Sequence, residues 1–209
     1  MKLETFASPR PHMIIDEFFT KDELPLALQE IKKLEPQQTK GLGNLRGEEV
    51  EVDIKKNNVV YLDEFYKEKK LESMILVKFS RDVWGEEGLV NREFQASQFP
   101  CFEYMKFLQY STTQISIYGD GDFYGYHEDR DDKLQFMTVN VVLCNEPKQF
   151  TGGDFKLTWN GVTKMIPFKN NTAIIYPQTT EHCVTKVNCK DNNYDNRRYS
   201  LNHWCRLIP

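Results

Sequence analysis

The sequence predicts an α+β protein that is mainly β. Residues 1–100 would form a helix-and-strand support, and residues 101–209 a β-rich core. Three observations lead there. Seven short runs rich in β-branched and aromatic residues follow residue 106, separated mostly by Gly, Asn, Asp or Pro. Two helix-period patterns precede them. Hydrophobic residues make up 40% of the chain and aromatic residues 13%, enough to build a core. With no internal repeat or low-complexity linker, residues 1–209 are expected to form a single domain. Helices would buttress a sandwich, barrel or jelly roll.

Taken in order, "HMIIDEFF" (12–19) begins as an apolar strand, and Thr20 opens a helix. Thr20 and Glu23 form a T-x-x-E capping box, in which hydroxyl and carboxylate satisfy orphan backbone N–H groups. Pro25 falls in the first turn, where a missing N–H costs little. Leu24, Leu28, Ile31 and Leu34 then recur at helical spacing until Pro36. Residues 37–58 are charged and carry three glycines. Their "GLG" lacks the rest of a dinucleotide fingerprint, so a mobile surface loop or an irregular hairpin is expected. "NVVYLDE" reads as a short strand. A second helix is expected from Asp63 to Val83, with Tyr66, Leu71, Met74, Ile75, Phe79 and Val83 along one side. The β-runs are "FLQYSTTQISIYG", "LQFMTVNVVLC", "GDFKLTW", "TKMIPF", "TAIIYP", "HCVTKV" and "RRYSLNHWCRLI".

Charge and cysteines narrow the function. A net charge of −4 and a pI near 5.7 leave no overall basic footprint for nucleic acid. No apolar run reaches the roughly 18 residues of a membrane span, and "MKLETFASPRPH" lacks the apolar centre of a signal peptide. Cys101, Cys144, Cys183, Cys189 and Cys205 include no C-x-x-C pair. Free thiols in a reducing cytoplasm are therefore expected rather than disulfides or zinc.

The candidate chemistry lies in the second half. His127 and Asp129 stand one residue apart, so on extended chain both side chains leave the same face. Alone, H-x-D is a common chance pairing of a surface histidine with a solvated acid. A third candidate, His182, follows the strand "TAIIYP" and the turn "QTTE", 53 residues beyond Asp129. Two histidines and a carboxylate on one face of a metal leave positions open, an arrangement that suits non-haem Fe(II) better than zinc. In "RRYSLNHWCRL", Arg198, Ser200, Asn202 and Trp204 share one face, and Tyr199, Leu201, His203 and Cys205 the other. Polar groups on an inward face make sense if they line a pocket, and a guanidinium there grips a carboxylate. Arg197 would point the other way, into solvent.

H-x-D, a distal histidine and R-x-S on the last strand resemble the Fe(II)/2-oxoglutarate-dependent oxygenases, and more closely their prolyl 4-hydroxylase-like members. "IYGDGDFYGYHED", "VVLCNEPKQFTGGDFKL" and "PQTTEHCVTKV" carry the likeness, and "HMIIDEFFTKDEL" resembles the family's first strand and helix. The resemblance implies a double-stranded β-helix (jelly roll) core. His127, Asp129 and His182 would bind Fe(II), Arg198 would hold the distal carboxylate of 2-oxoglutarate, and Tyr118 would be a cofactor-pocket tyrosine. Tyr118 shares a strand face with Gln114 and Ser116. Two departures stand out. The family's arginine usually lies closer to the distal histidine than the 16 residues found here, with "NCKDNNYD" as a lengthened hairpin loop. The tyrosine that some prolyl hydroxylases use after H-x-D is missing, leaving Thr138 or Asn140 as substitutes.

The implied reaction couples O2 and decarboxylation of 2-oxoglutarate to succinate and CO2 with hydroxylation of an unactivated C–H, and ascorbate would serve as a reductant. By resemblance, the substrate is a prolyl residue of a peptide or protein. The loop at 41–58, including Arg46, could either close over it or serve as a solvent-exposed connector. The acids Asp120, Asp122, Glu128, Asp131 and Asp132 either favour a cationic substrate or form a solvated rim. The alternatives are a hydroxylase of a free amino acid or other small molecule, an alkylation-repair dioxygenase, and a jelly-roll binding module without catalysis. The repair reading is disfavoured because Trp204 stands where a second arginine is expected.

Overall fold

The computed structural model of the chain describes residues 2–41, 54–129, 135–191 and 193–207. Its strands are β1 (Lys2–Phe6), β2 (His12–Asp16), β3 (Thr39–Lys40), β4 (Lys55–Lys56), β5 (Asn58–Tyr61), β6 (Tyr110–Tyr118), β7 (Phe123–His127), β8 (Gln135–Leu143), β9 (Phe150–Gly152), β10 (Phe155–Trp159), β11 (Val162–Ile166), β12 (Thr172–Pro177), β13 (Glu181–Val184), β14 (Val187–Cys189) and β15 (Arg198–Arg206). The helices are α1 (Glu23–Lys33), α2 (Leu62–Lys69), α3 (Met74–Phe79), α4 (Leu89–Ala96) and α5 (Pro100–Glu103).

The larger sheet has eight strands in the order β1-β2-β12-β8-β15-β6-β5-β3, and the smaller has five, β11-β10-β13-β7-β4. From β6 onward the chain passes back and forth between them: β6 and β8 lie in the larger sheet with β7 between them in the smaller, and β12 is followed by β13 and then β15. Strand alternation gives the larger sheet two unlike faces. Ile115, Ile117, Met137, Val139, Val141, Ala173, Ile175, Tyr199 and Leu201 point to one core, where helix residues such as Ala27, Ile31, Ile75, Phe79 and Phe94 cover them. The opposite face carries Gln114, Ser116, Thr138, Asn140, Arg198 and Ser200, all buried. A second core joins Tyr118, Ile174 and Tyr176 of the larger sheet to Phe155, Leu157 and Val184 of the smaller. The polar face is thus enclosed between the sheets, which is where the sequence reading placed a pocket.

The first helix forms as the capping box requires: Thr20 N–H donates to Glu23 Oε2 at 3.0 Å, and Glu23 N–H to Thr20 Oγ1 at 3.2 Å. The single helix expected over 63–83 is instead α2, α3 and a π-helical turn over Ser80–Trp84. Lys70 takes a left-handed conformation, φ 53°, which ends α2. Leu71, expected inside, is exposed. Ser73 restarts the helix, its Oγ accepting Leu76 N–H at 3.0 Å while donating to Glu30 Oε1 of α1 at 2.5 Å. Strand β1 and helices α4 and α5 fall where the sequence reading named no element. All five cysteines are free. Among the described residues, no helix is long and apolar enough to cross a membrane. Most of the 41–58 loop, with Arg46, lies outside the described residues, as do Asp131 and Asp132.

Candidate metal centre and the polar cavity behind it

His127 closes β7 and pairs directly across the smaller sheet with His182 of β13. Their rings stand 4.1 Å apart, centroid to centroid. Asp129 lies just past the end of β7 rather than within it, held by its N–H bond to the Gln178 carbonyl at 3.2 Å. Thr138 Oγ1 donates to Asp129 Oδ2 at 2.7 Å. That leaves Oδ1 facing inward, 3.8 Å from Nε2 of both His127 and His182. One ligand atom from each of the three residues lies within 4.8 Å of the other two.

The tautomers follow from the backbone. His127 Nδ1 is 2.8 Å from the Gly125 carbonyl and His182 Nδ1 is 2.9 Å from the Thr180 carbonyl. A carbonyl only accepts, so both Nδ1 atoms carry protons and both Nε2 lone pairs point into the cluster. Burial, and then the neighbouring His182, hold the His127 imidazole neutral, well below its usual pKa. Tyr124 stacks on His127 at 3.5 Å and fixes the ring plane. Neutral imidazoles and a carboxylate with one oxygen left inward are the donor set of a divalent metal.

Away from this cluster the cavity floor is polar. Asn140 Nδ2 donates to Asn202 Oδ1 (2.9 Å), Asn202 Nδ2 to Ser116 Oγ (3.0 Å), and Ser116 Oγ to Gln114 Oε1 (3.1 Å). At its far end Arg198 is fully buried. Arg198 Nε donates to the Gly153 carbonyl at 2.8 Å and Nη1 to Ser200 Oγ at 2.6 Å. Nη2 is buried with no partner, and Asn140 Oδ1 and Trp204 Nε1 are in the same condition. Burial draws the Arg198 pKa down to about 10, so it stays charged at neutral pH. The Tyr118 ring lies 4.9 Å from Arg198 Cζ. Gly153, φ +71°, leaves room for the arginine: a Cβ there would stand 2.7 Å from Arg198 Cδ. A buried cation with an unpaired Nη2 fits a carboxylate.

His127, Asp129 and His182 converge, Arg198 and Tyr118 lie side by side, and two expectations change. Thr138 is not free to stand in for the missing pocket tyrosine, because its hydroxyl is committed to Asp129. Arg197 is half-buried rather than solvated, packing 5.4 Å from the Tyr194 ring. Two of the acids have local structural work: Asp122 Oδ2 accepts Gly119 N–H at 2.7 Å, and Asp120 Oδ1 accepts Cys189 N–H at 3.0 Å. The sequence reading missed Tyr176, whose hydroxyl is 3.3 Å from His182 Nε2. Strand period two placed it on the cavity face with Ile174, but "TAIIYP" reads as plain core. Burial, and then the Asp129 charge, hold this phenol protonated.

Residues 113–206, which contain all five, match the family model of the 2OG-Fe(II) oxygenase superfamily. A PKHD-type hydroxylase of Hyphomonas neptunium is 28% identical over 90 residues, a match spanning 40% of each chain. The fold is shared with a Pseudomonas putida prolyl-4-hydroxylase (TM-score 0.58, 15% identity, 94% of this chain and 92% of that one). A Trichoplax adhaerens prolyl hydroxylase, solved with a hypoxia inducible factor peptide fragment, gives TM-score 0.58 at 14% identity over 93% and 83%. The viral collagen prolyl hydroxylase of Paramecium bursaria Chlorella virus-1, solved with 2-oxoglutarate, gives 0.57 at 17% over 94% and 96%. Residues 113–206 thus resemble the 2-oxoglutarate/Fe(II) oxygenases, and the fold is the one shared by these solved prolyl hydroxylases.

Proposed function

We propose that this chain is an Fe(II)- and 2-oxoglutarate-dependent dioxygenase that hydroxylates an unactivated C–H of a prolyl residue in a peptide or protein. One observation carries the reading: three converging ligand atoms face a cavity whose far end is a buried guanidinium with an unused N–H. We read the two facing sheets as a double-stranded β-helix. Residues 1–209 would be a single domain, because β1, β2, β3 and β5 join the same larger sheet as β6, β8, β12 and β15. Five free thiols suit a reducing compartment such as the cytoplasm.

When bound, iron and 2-oxoglutarate supply the oxygen activation and hydrogen-atom abstraction that no side chain provides. The chain's own part is to hold and orient. His127, Asp129 and His182 would ligate the metal, with the Gly125 and Thr180 carbonyls and the Thr138 hydroxyl fixing their aim. Arg198, beside Tyr118, would hold the distal carboxylate in a site closed to water. No side chain is required as a general base.

The test is turnover of 2-oxoglutarate to succinate with Fe(II), with and without proline-containing peptides, and mass spectrometry for one added oxygen. Activity is expected to be stimulated by a peptide and abolished in His127→Ala and Asp129→Ala. Unchanged iron binding and turnover in those variants would refute the site, and turnover indifferent to every peptide would refute the substrate class.

A further inference from the structure

Tyr176 sits on β12, directly across from Thr138 of β8, with its side chain in the cavity. Its hydroxyl lies 3.3 Å from His182 Nε2. Because His182 Nδ1 donates to the Thr180 carbonyl, Nε2 is the acceptor and the tyrosine is the donor. A metal ion held by His127, Asp129 and His182 must take that same lone pair. The hydroxyl of a side chain only 1% exposed would then lose its acceptor, and leaving a buried donor unpaired is costly. Its neighbours offer only neutral acceptors: the Thr138 hydroxyl, which itself donates to Asp129 Oδ2, and Asn140 Oδ1, which is buried and unused. An anionic ligand carried by the metal is a stronger acceptor than an amide oxygen.

We propose that Tyr176 is a cosubstrate-binding residue. Metal binding frees its hydroxyl from His182, and the hydroxyl then donates to an oxygen at the metal-bound end of 2-oxoglutarate. Metal binding would therefore release the donor that secures the acid. This inference rests on the proposed function.

The experiment compares wild type with Tyr176→Phe, which keeps the ring that packs 5.4 Å from Phe155. Metal affinity is measured first with Mn(II). Then 2-oxoglutarate is titrated anaerobically into the Fe(II) protein, reading the visible metal-to-ligand band. The expected result is metal affinity within about twofold and a 2-oxoglutarate dissociation constant raised about tenfold, with a displaced band. Equal dissociation constants and equal bands would overturn the role of Tyr176 while leaving the functional reading intact. A tyrosinate band in the ferric wild type, lost in Tyr176→Phe, would make Tyr176 a metal ligand and also overturn it. Wild type that binds metal but no 2-oxoglutarate would overturn the functional reading, and this inference with it.

Discussion

Arg198 is fully buried, and among the described residues no carboxylate forms a direct ion pair with it, although the Asp154 charge acts on it. It contacts one carbonyl, one hydroxyl and the Tyr118 and Phe168 rings. A buried charge without a counter-charge destabilises a fold, and replacing it by an apolar side chain of similar size is often neutral or stabilising. Arg198→Met is therefore expected to melt at the same temperature as the wild type, or higher, in the absence of ligands. It should bind 2-oxoglutarate about 100-fold more weakly, as loss of a bidentate grip implies. Thermal melts and equilibrium titration check the two halves, and marked destabilisation without loss of affinity would make the arginine purely structural. The residue's identity was readable from R-x-S on an alternating strand. Its unused Nη2 was not, because a missing partner is a property of the assembled cavity.

Strand β15 shows what a single element can disclose. Alternation alone separated Arg198, Ser200 and Asn202 from Tyr199, Leu201 and Cys205, and the sheet keeps that division. The region 63–83 shows the opposite. Its apolar spacing suited one helix, yet the break is set by a residue on another helix. Glu30 of α1, itself buried, accepts Ser73 Oγ–H at 2.5 Å and Ile75 N–H at 3.2 Å, capping α3 from outside. Removing that carboxylate leaves two buried donors unpaired. Glu30→Ala is expected to cost about 3 kcal/mol in urea unfolding, whereas Ser73→Ala should cost about 1 kcal/mol. Similar losses from the two would show that the cap is local to α3.

Across the whole molecule, two buried histidines remote from the metal cluster make the fold acid-sensitive. Burial lowers the His12 pKa to about 4, with Lys164 adding to the shift, and lowers that of His203 to about 3. Both pKa values lie below the unfolded value near 6.5, so below that pH the unfolded chain takes up protons that the native state refuses. Stability should therefore be full above about pH 6.5 and fall as pH drops toward 4, each histidine adding at most about 1.4 kcal/mol per pH unit. Glu23 has the same sign in a lower window: its pKa is held at about 2 despite the opposing effect of burial, by the Thr20 N–H and by Lys78 and Arg81, so its contribution is lost between its ordinary range and about 2. Urea midpoints at pH 7.5, 6 and 5 without metal check this, and a flat profile over that range would contradict the buried neutral histidines.

By itself the sequence determined the β-rich second half, the capped first helix and the polar face of β15, and it singled out His127, Asp129, His182 and Arg198 as candidates. Each rests on period, spacing or local hydrogen bonding that the chain carries with it. Only the tertiary structure decided the helix break at Lys70, the joining of β1 and β2 to the larger sheet, the commitment of Thr138 to Asp129 and the placing of Tyr176 against His182. Those features depend on which strands become neighbours. Neighbours across a sheet are chosen by long-range burial of apolar faces, which no local pattern records.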